Sequence, residues 1–259
     1  MKKILTTLSI IALVFTSCSK DDSPSEETSS SVLVKKMILT STDEDDDSYY
    51  NSTYNFSYNG NKITTVTHDN GRDEYTYSNE LLTKIETYDL TNVLVYEEIF
   101  TYNSTSQLVD YKFRDILDDF EDVNLYTYNS NGTITVKNFH RSIGSTTVPT
   151  ITYDSVYYLT NGEISKIENS NGTYIGIHDG KNSPFKNVIG LNNAIILDAH
   201  MGDYEFYGAS SNYVSLAVNT NIGLWGTYTY DSNNYPVTAE FVFKNSPTEA
   251  TVNAQYFYN

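Results

Sequence analysis

Four histidines and one cysteine are the side chains of this 259-residue chain best suited to proton transfer, metal binding or nucleophilic attack. His68, His140, His178 and His200 are far apart, and no two have the three- or four-residue spacing that puts a pair of ligands on one zinc ion. A Gly-x-Ser-x-Gly elbow, a phosphate-binding glycine loop and a dinucleotide fingerprint are all missing from the sequence. Serines and aspartates abound, so folding could assemble a Ser-His-Asp set, but abundance does not point to one. Two carboxylates across a groove suffice for glycoside hydrolysis. Asp198, Asp203 and Glu205 flank His200, which makes His200, Asp203 and Glu205 the candidate ligand contacts, although a surface loop is the plainer reading of them. Asp43, Asp45 and Asp47 have the alternation of a calcium loop. Ser48 occupies the place of the turn glycine and Tyr54 that of the bidentate glutamate, so this stretch reads as a solvated hairpin tip. No catalytic set, metal or other cofactor is expected.

The cysteine belongs to a different chemistry. Lys2 and Lys3 precede an apolar run from Ile4 to Phe15, and the small residues Thr16 and Ser17 stand directly before Cys18. This is the layout of a secretory signal, too short to span a bilayer as a helix, with a thiol as the first residue after the cut. Cys18-Ser19-Lys20-Asp21-Asp22 resembles the start of lipoproteins of the Bacteroidetes, in which a lysine and acidic residues follow the cysteine as a surface-export signal. Phe15 departs from the leucine usual at that position in other bacteria. The resemblance implies residues 1–17 as signal peptide, a lipid on Cys18, and an outer-membrane anchor with display outside the cell as one outcome. The alternative is an ordinary secretory peptide with a cysteine near its cleavage site. With its single thiol capped, the mature chain would hold no disulfide and depend on packing.

A formal charge of −17 opposes binding to nucleic-acid phosphates or anionic headgroups. Twenty-four tyrosines, few prolines and little helical periodicity favour half-buried pleated surface, hence an all-β fold. Residues 18–31, rich in Ser, Glu and Thr, read as a lipidated flexible tether, and residues 32–259 as one domain.

A repeat runs through that domain. Each unit has two aromatics two residues apart, a short polar turn, then an apolar pair. The pairs are Tyr54/Phe56/Tyr58 with Ile63 and Val66, Tyr75/Tyr77 with Leu82 and Ile85, and Phe100/Tyr102 with Leu108 and Tyr111. Tyr126/Tyr128 follow with Ile134 and Val136, Tyr157/Leu159 with Ile164 and Ile167, and Tyr228/Tyr230 with Tyr235 and Val237. Residues two apart share a strand face, and Asn-Gly supplies positive φ for tight hairpins at Asn59-Gly60, Asn131-Gly132 and Asn161-Gly162. Successive hairpins then form an antiparallel meander, a large curved or open sheet with room for one short helical segment between Gly180 and Leu224. Return pairs spaced by three break strict alternation. Either a β-bulge restores parity or the sheet is covered on both faces.

The unit Tyr-x-Tyr-(Asn/Asp)-x-x-Gly-x-(Leu/Ile)-x-x-Ile resembles the YD repeat as degenerated in Bacteroidetes lipoproteins of unknown function, with Tyr228-Thr229-Tyr230-Asp231 the best copy. Ile177-His178-Asp179-Gly180-Lys181-Asn182-Ser183-Pro184-Phe185 is similar to a Tyr-Asp, Lys, Asn-Pro-Phe step of the same proteins. Here His178 replaces the tyrosine and Ser183 separates Asn182 from Pro184. The resemblance brings no catalytic motif. It is nearly silent on activity, and the expected function is a non-catalytic module binding a protein or a glycan, with an envelope scaffold as the alternative and a secreted hydrolase behind both. Its partners are the membrane through Cys18 and that protein or glycan, not nucleic acid.

Overall fold

The computed structural model describes residues 31–41, 51–145, 151–191, 194, 210–219, 221–243 and 250–259. Its strands are β1 (Val34–Ser41), β2 (Ser52–Asn59), β3 (Lys62–His68), β4 (Gly71–Ser78), β5 (Leu81–Asp89), β6 (Leu94–Tyr102), β7 (Leu108–Asp115) and β8 (Phe120–Tyr128). They continue as β9 (Ile134–Ser142), β10 (Ile151–Thr160), β11 (Glu163–Asn169), β12 (Gly172–His178), β13 (Tyr213–Val218), β14 (Asn221–Tyr230), β15 (Pro236–Phe243) and β16 (Ala250–Tyr258). Each pairs antiparallel with its sequence neighbours, as the hairpin repeat predicts. The sheet is not open. β1 pairs with β2 on one side and with β16 on the other, from Val34↔Tyr258 to Ser41↔Val252, so the meander closes into a barrel. Closure leaves no edge, and Tyr256 and Tyr258 face inward instead of bordering solvent. Leu191 and Ala194 have helical conformation within the long β12–β13 connection.

One apolar cluster fills the interior, with Ile63, Val66, Leu82, Leu108, Tyr157 and Phe241 among its most buried members. Many outward positions of the sheet are polar or charged, for example Thr65, Arg72, Glu74, Lys84, Lys112 and Lys166. The parity question resolves in favour of bulges. In β3 the pairing steps from Ser57↔Thr65 to Tyr58↔Ile63, which skips Thr64 and returns Ile63 to the face of Val66. The same skip at Thr83, Val109 and Ser165 keeps Leu82 with Ile85, Leu108 with Tyr111 and Ile164 with Ile167. β9 has its apolar pair, Ile134 and Val136, only two apart, and there the register runs unbroken. In the last repeat Val237 is the skipped residue and points outward. Pro236 and Ala239 therefore form the inward pair, not the expected Tyr235 and Val237.

The turns divide into two kinds. Asn161 and Gly162 both have positive φ, 55° and 85°, the two-residue turn that Asn-Gly favours. Gly60 and Gly132 are positive without a positive neighbour, so the expectation of two left-handed positions fails there. The longer turns use the Asn or Asp that follows the second aromatic of the repeat. Asp231 Oδ1 accepts from the amides of Asn233 (2.9 Å) and Tyr235 (2.8 Å), and Asn103 Oδ1 likewise from Thr105 and Gln107 (both 3.0 Å). Side-chain acceptance from the amides two and four residues further on nucleates the reversal locally.

The second aromatic of the repeat has its own task. The hydroxyls of Tyr58, Tyr128 and Tyr258 donate to the carbonyls of Val34 (2.7 Å), Leu108 (3.1 Å) and Pro236 (2.7 Å). Each bond ties an outgoing strand to the return strand before it. Burial pushes the phenols of Tyr77 and Tyr128 up to about 12, and those of Tyr58, Tyr102 and Tyr258 further. All remain protonated at neutral pH.

Two outcomes are expected. Deleting Thr83 leaves Leu82 and Ile85 two apart, as in β9, and should lower Tm by only ~2–4 °C, or about 1 kcal/mol. Deleting Thr135 turns an inward residue outward and should cost ~3 kcal/mol or more by thermal unfolding. Because the buried phenols have raised values when folded, their contribution to stability is complete below about pH 10 and disappears as pH rises through about 12. Tyrosinate absorbance should therefore lag free tyrosine and then rise together with loss of the β-sheet circular dichroism signal.

Candidate functional site

Polar side chains that face inward mark the two ends of the barrel. At one end lie the β2–β3, β4–β5 and β14–β15 turns, the start of the fold at Val32 and its last residue, Asn259. The β12–β13 connection plugs this end. Phe185 is fully buried with its ring 5.3 Å from that of Phe56, and the Ile189 amide donates to the Asn61 carbonyl (2.9 Å). Gly190, at φ +82°, passes so close to β5 that a Cβ there would lie 2.8 Å from the Glu80 carbonyl oxygen and 2.9 Å from the Leu82 nitrogen. Only glycine fits.

Two carboxylates hold the connection where it leaves and where it returns. Asp179 accepts from the Lys181 amide (2.8 Å), from Asn212 Nδ2 (3.2 Å) and from the Tyr230 hydroxyl. Burial first, and then Asp179, push the Tyr230 phenol well up, so it stays a donor. Glu163 accepts from the amides of Ser210 (3.0 Å) and Ser211 (2.6 Å) and from Ser211 Oγ (2.7 Å). The His178-Asp179 to Phe185 motif is thus a structural latch. Asp179 anchors it and Phe185 is its hydrophobic bolt.

The opposite end is different. Inward positions there change from apolar to polar at Asn124 and Asn138, a buried pair bonded at 2.8 Å. Beyond them lie Asp73, Glu98 and Asp122 on β4, β6 and β8. Asp73 accepts from Thr87 Oγ1 (2.8 Å) and Glu98 from the Tyr111 hydroxyl (3.0 Å). Aromatic rings run across the same strands as a ladder. Tyr96 stacks on Phe113 at 5.5 Å, Phe113 meets Phe120 at 6.4 Å, and Phe120 meets His140 at 5.0 Å. The ladder reaches solvent at both ends, with Tyr96 39% and the His140 side chain 58% exposed. This mouth offers ring faces beside carboxylate acceptors. That set can hold a ligand with an apolar face and hydrogen-donating edges.

The three histidines among the described residues each meet a carboxylate and a ring. His68 lies 3.8 Å from Asp73 and 5.7 Å from the Tyr54 ring, and His140 2.8 Å from Asp122. His178 lies 3.7 Å from Glu163 and 4.0 Å from the Tyr213 ring. The pairing signal is cross-strand register, which spacing along the chain does not display. Among the described residues no three His, Cys, Asp or Glu side chains gather closely enough to hold a metal ion. Cys18, the Asp43 to Asp47 stretch, and His200, Asp203 and Glu205 lie outside the described residues. So does Asp198.

The fold defines a class, a closed antiparallel β-meander barrel with one plugged end and one polar mouth. No protein-family model matches the chain, and no curated protein matches it. Among solved structures it is similar to a porin-like protein from Bacteroides uniformis ATCC 8492, at 14% identity over 87% of this chain and 98% of that one, with a TM-score of 0.41. It is also similar to a chain of TcdB2-TccC3-TEV, at 16% identity over 78% of this chain and 12% of that one, with a TM-score of 0.31.

If the plug is held as described, Phe185→Ala should destabilise the barrel by ~3–5 kcal/mol in denaturant unfolding, the cost of a large core truncation. The Phe185→Leu variant should recover most of that loss.

Proposed function

We propose that this protein is a lipoprotein anchored in the outer membrane through Cys18, and that its barrel is a non-catalytic binding module whose ligand sits at the polar mouth. The observation that carries the reading is the ladder of Tyr96, Phe113, Phe120 and His140, exposed at its two ends, on the same end of the barrel as Asp73, Glu98 and Asp122. Aromatic faces stack on the apolar face of a saccharide ring, and carboxylates accept from its hydroxyls. A glycan is therefore the favoured ligand, and a protein partner is the other outcome. The first described residues of the barrel lie at the plugged end, opposite the mouth.

Anchoring is tested by labelled palmitate. The wild type should take up label and sediment with membranes, and Cys18→Ser should do neither. Binding is tested on glycan arrays with the purified protein. Tyr96→Ala and Phe120→Ala should each weaken a detected glycan at least tenfold, or ~1.4 kcal/mol, while thermal unfolding stays close to wild type. No bound glycan, or binding indifferent to both substitutions, sinks the mouth as a glycan site.

A further inference from the structure

The barrel has the number of strands of a general porin, yet its two faces are exchanged. A membrane-spanning barrel turns an apolar band about 25 Å tall toward lipid and a polar face toward its lumen. Here the lumen is a packed apolar core, closed at one end by Phe185. The outward face carries ion pairs at mid-strand height. Lys84 meets Glu86 at 2.8 Å on β5, Lys112 meets Asp110 at 3.1 Å on β7, and Lys166 meets Glu168 at 2.9 Å on β11. Arg114 bridges Glu97 and Glu121, and Arg141 completes the group through Glu121 at 2.6 Å. Burial alone would raise the Glu121 carboxyl, but the two guanidiniums outweigh it and hold it below its usual range. Outward apolar side chains do occur. Ile175, Ile177 and Trp225 form a patch on β12–β14, and Leu125, Val237 and Phe257 stand outward on β8, β15 and β16, interrupted by the ion pairs of β5, β7, β9 and β11, so they do not form a continuous girdle.

We infer that this barrel is excluded from the bilayer: it neither spans a membrane nor conducts, and its membrane attachment resides wholly in the chain before Ser31. Hydrocarbon offers no partner to the outward charges on β5, β7, β9 and β11, whereas water and their ion-pair partners do. Among the described residues no helix is long and apolar enough to cross a membrane.

Flotation with phosphatidylethanolamine–phosphatidylglycerol vesicles tests this on the full chain. Cys18→Ser should remain at the bottom of the gradient, soluble without detergent and with an unchanged β-sheet spectrum. In planar bilayers of the same lipids, neither the wild type nor the variant should give stepwise conductance. Flotation of Cys18→Ser, a detergent requirement for its folding, or conductance steps from either protein would overturn the inference. A second variant guards against misfolding of the first. Thr227→Lys adds a charge to the outward face of β14 and should move Tm by less than ~2 °C, whereas a lipid-facing position would not tolerate it. Failure of the wild type to take up palmitate would remove the proposed anchor and leave this result standing.

Discussion

Removal of inward side chains from water holds the sixteen strands together, because the hydrogen bonds of a sheet contribute little net once exchanged for those of water. Burial of apolar surface can act here only if every strand keeps its apolar residues on the inner face. A strand alternates strictly, so any spacing other than two must be absorbed somewhere. The recurrent bulge near the turn of the return strand absorbs it. Thr64, Thr83, Val109, Ser165 and Val237 are stepped over so that the next residue comes back to the core side. Bulges also increase local twist, which helps a long meander to curl until its ends meet.

The tyrosine content follows from the same geometry. A closed sheet of this many strands encloses more space than small side chains fill, and long aromatic ones reach further across it. Their hydroxyls would be costly in that interior without a partner. Three of them find main-chain carbonyls on the neighbouring strand. One residue type thus supplies volume, apolar area and a polar tie between hairpins. Where the tie forms, the second aromatic is tyrosine, while the first need only be large, as Phe56 and Phe100 illustrate.

Much of this was legible in the residues. Hairpin order, aromatic pairing and the turn role of Asp231 follow from local chemistry, since each involves residues only a few positions apart. The three-residue spacing of Ile63 and Val66 posed the parity question, and the register of β2 with β3 answers it. Closure was not legible. The contact of Val34 with Tyr258 spans almost the whole domain, and no local pattern distinguishes a last strand that pairs back from one that ends a sheet. The mouth was hidden for a related reason. Asp122 and His140 stand eighteen positions apart and become neighbours only through the register of β8 and β9. Attention drawn to His200 by nearby carboxylates fell on a segment without a described structure, while the equivalent pairing arose at three other histidines.

The seam between β1 and β16 also sets the order in which the protein can assemble. Hairpins from β2 to β15 need only neighbours in sequence and can form as they emerge. β1 and β16 must wait for each other across more than two hundred residues, the slowest kind of contact a chain makes. Until they meet, two strand edges with free amides and carbonyls are open to the wrong partner. In an exported protein that interval falls after translocation, so an envelope chaperone that shields strand edges would act on this one joint.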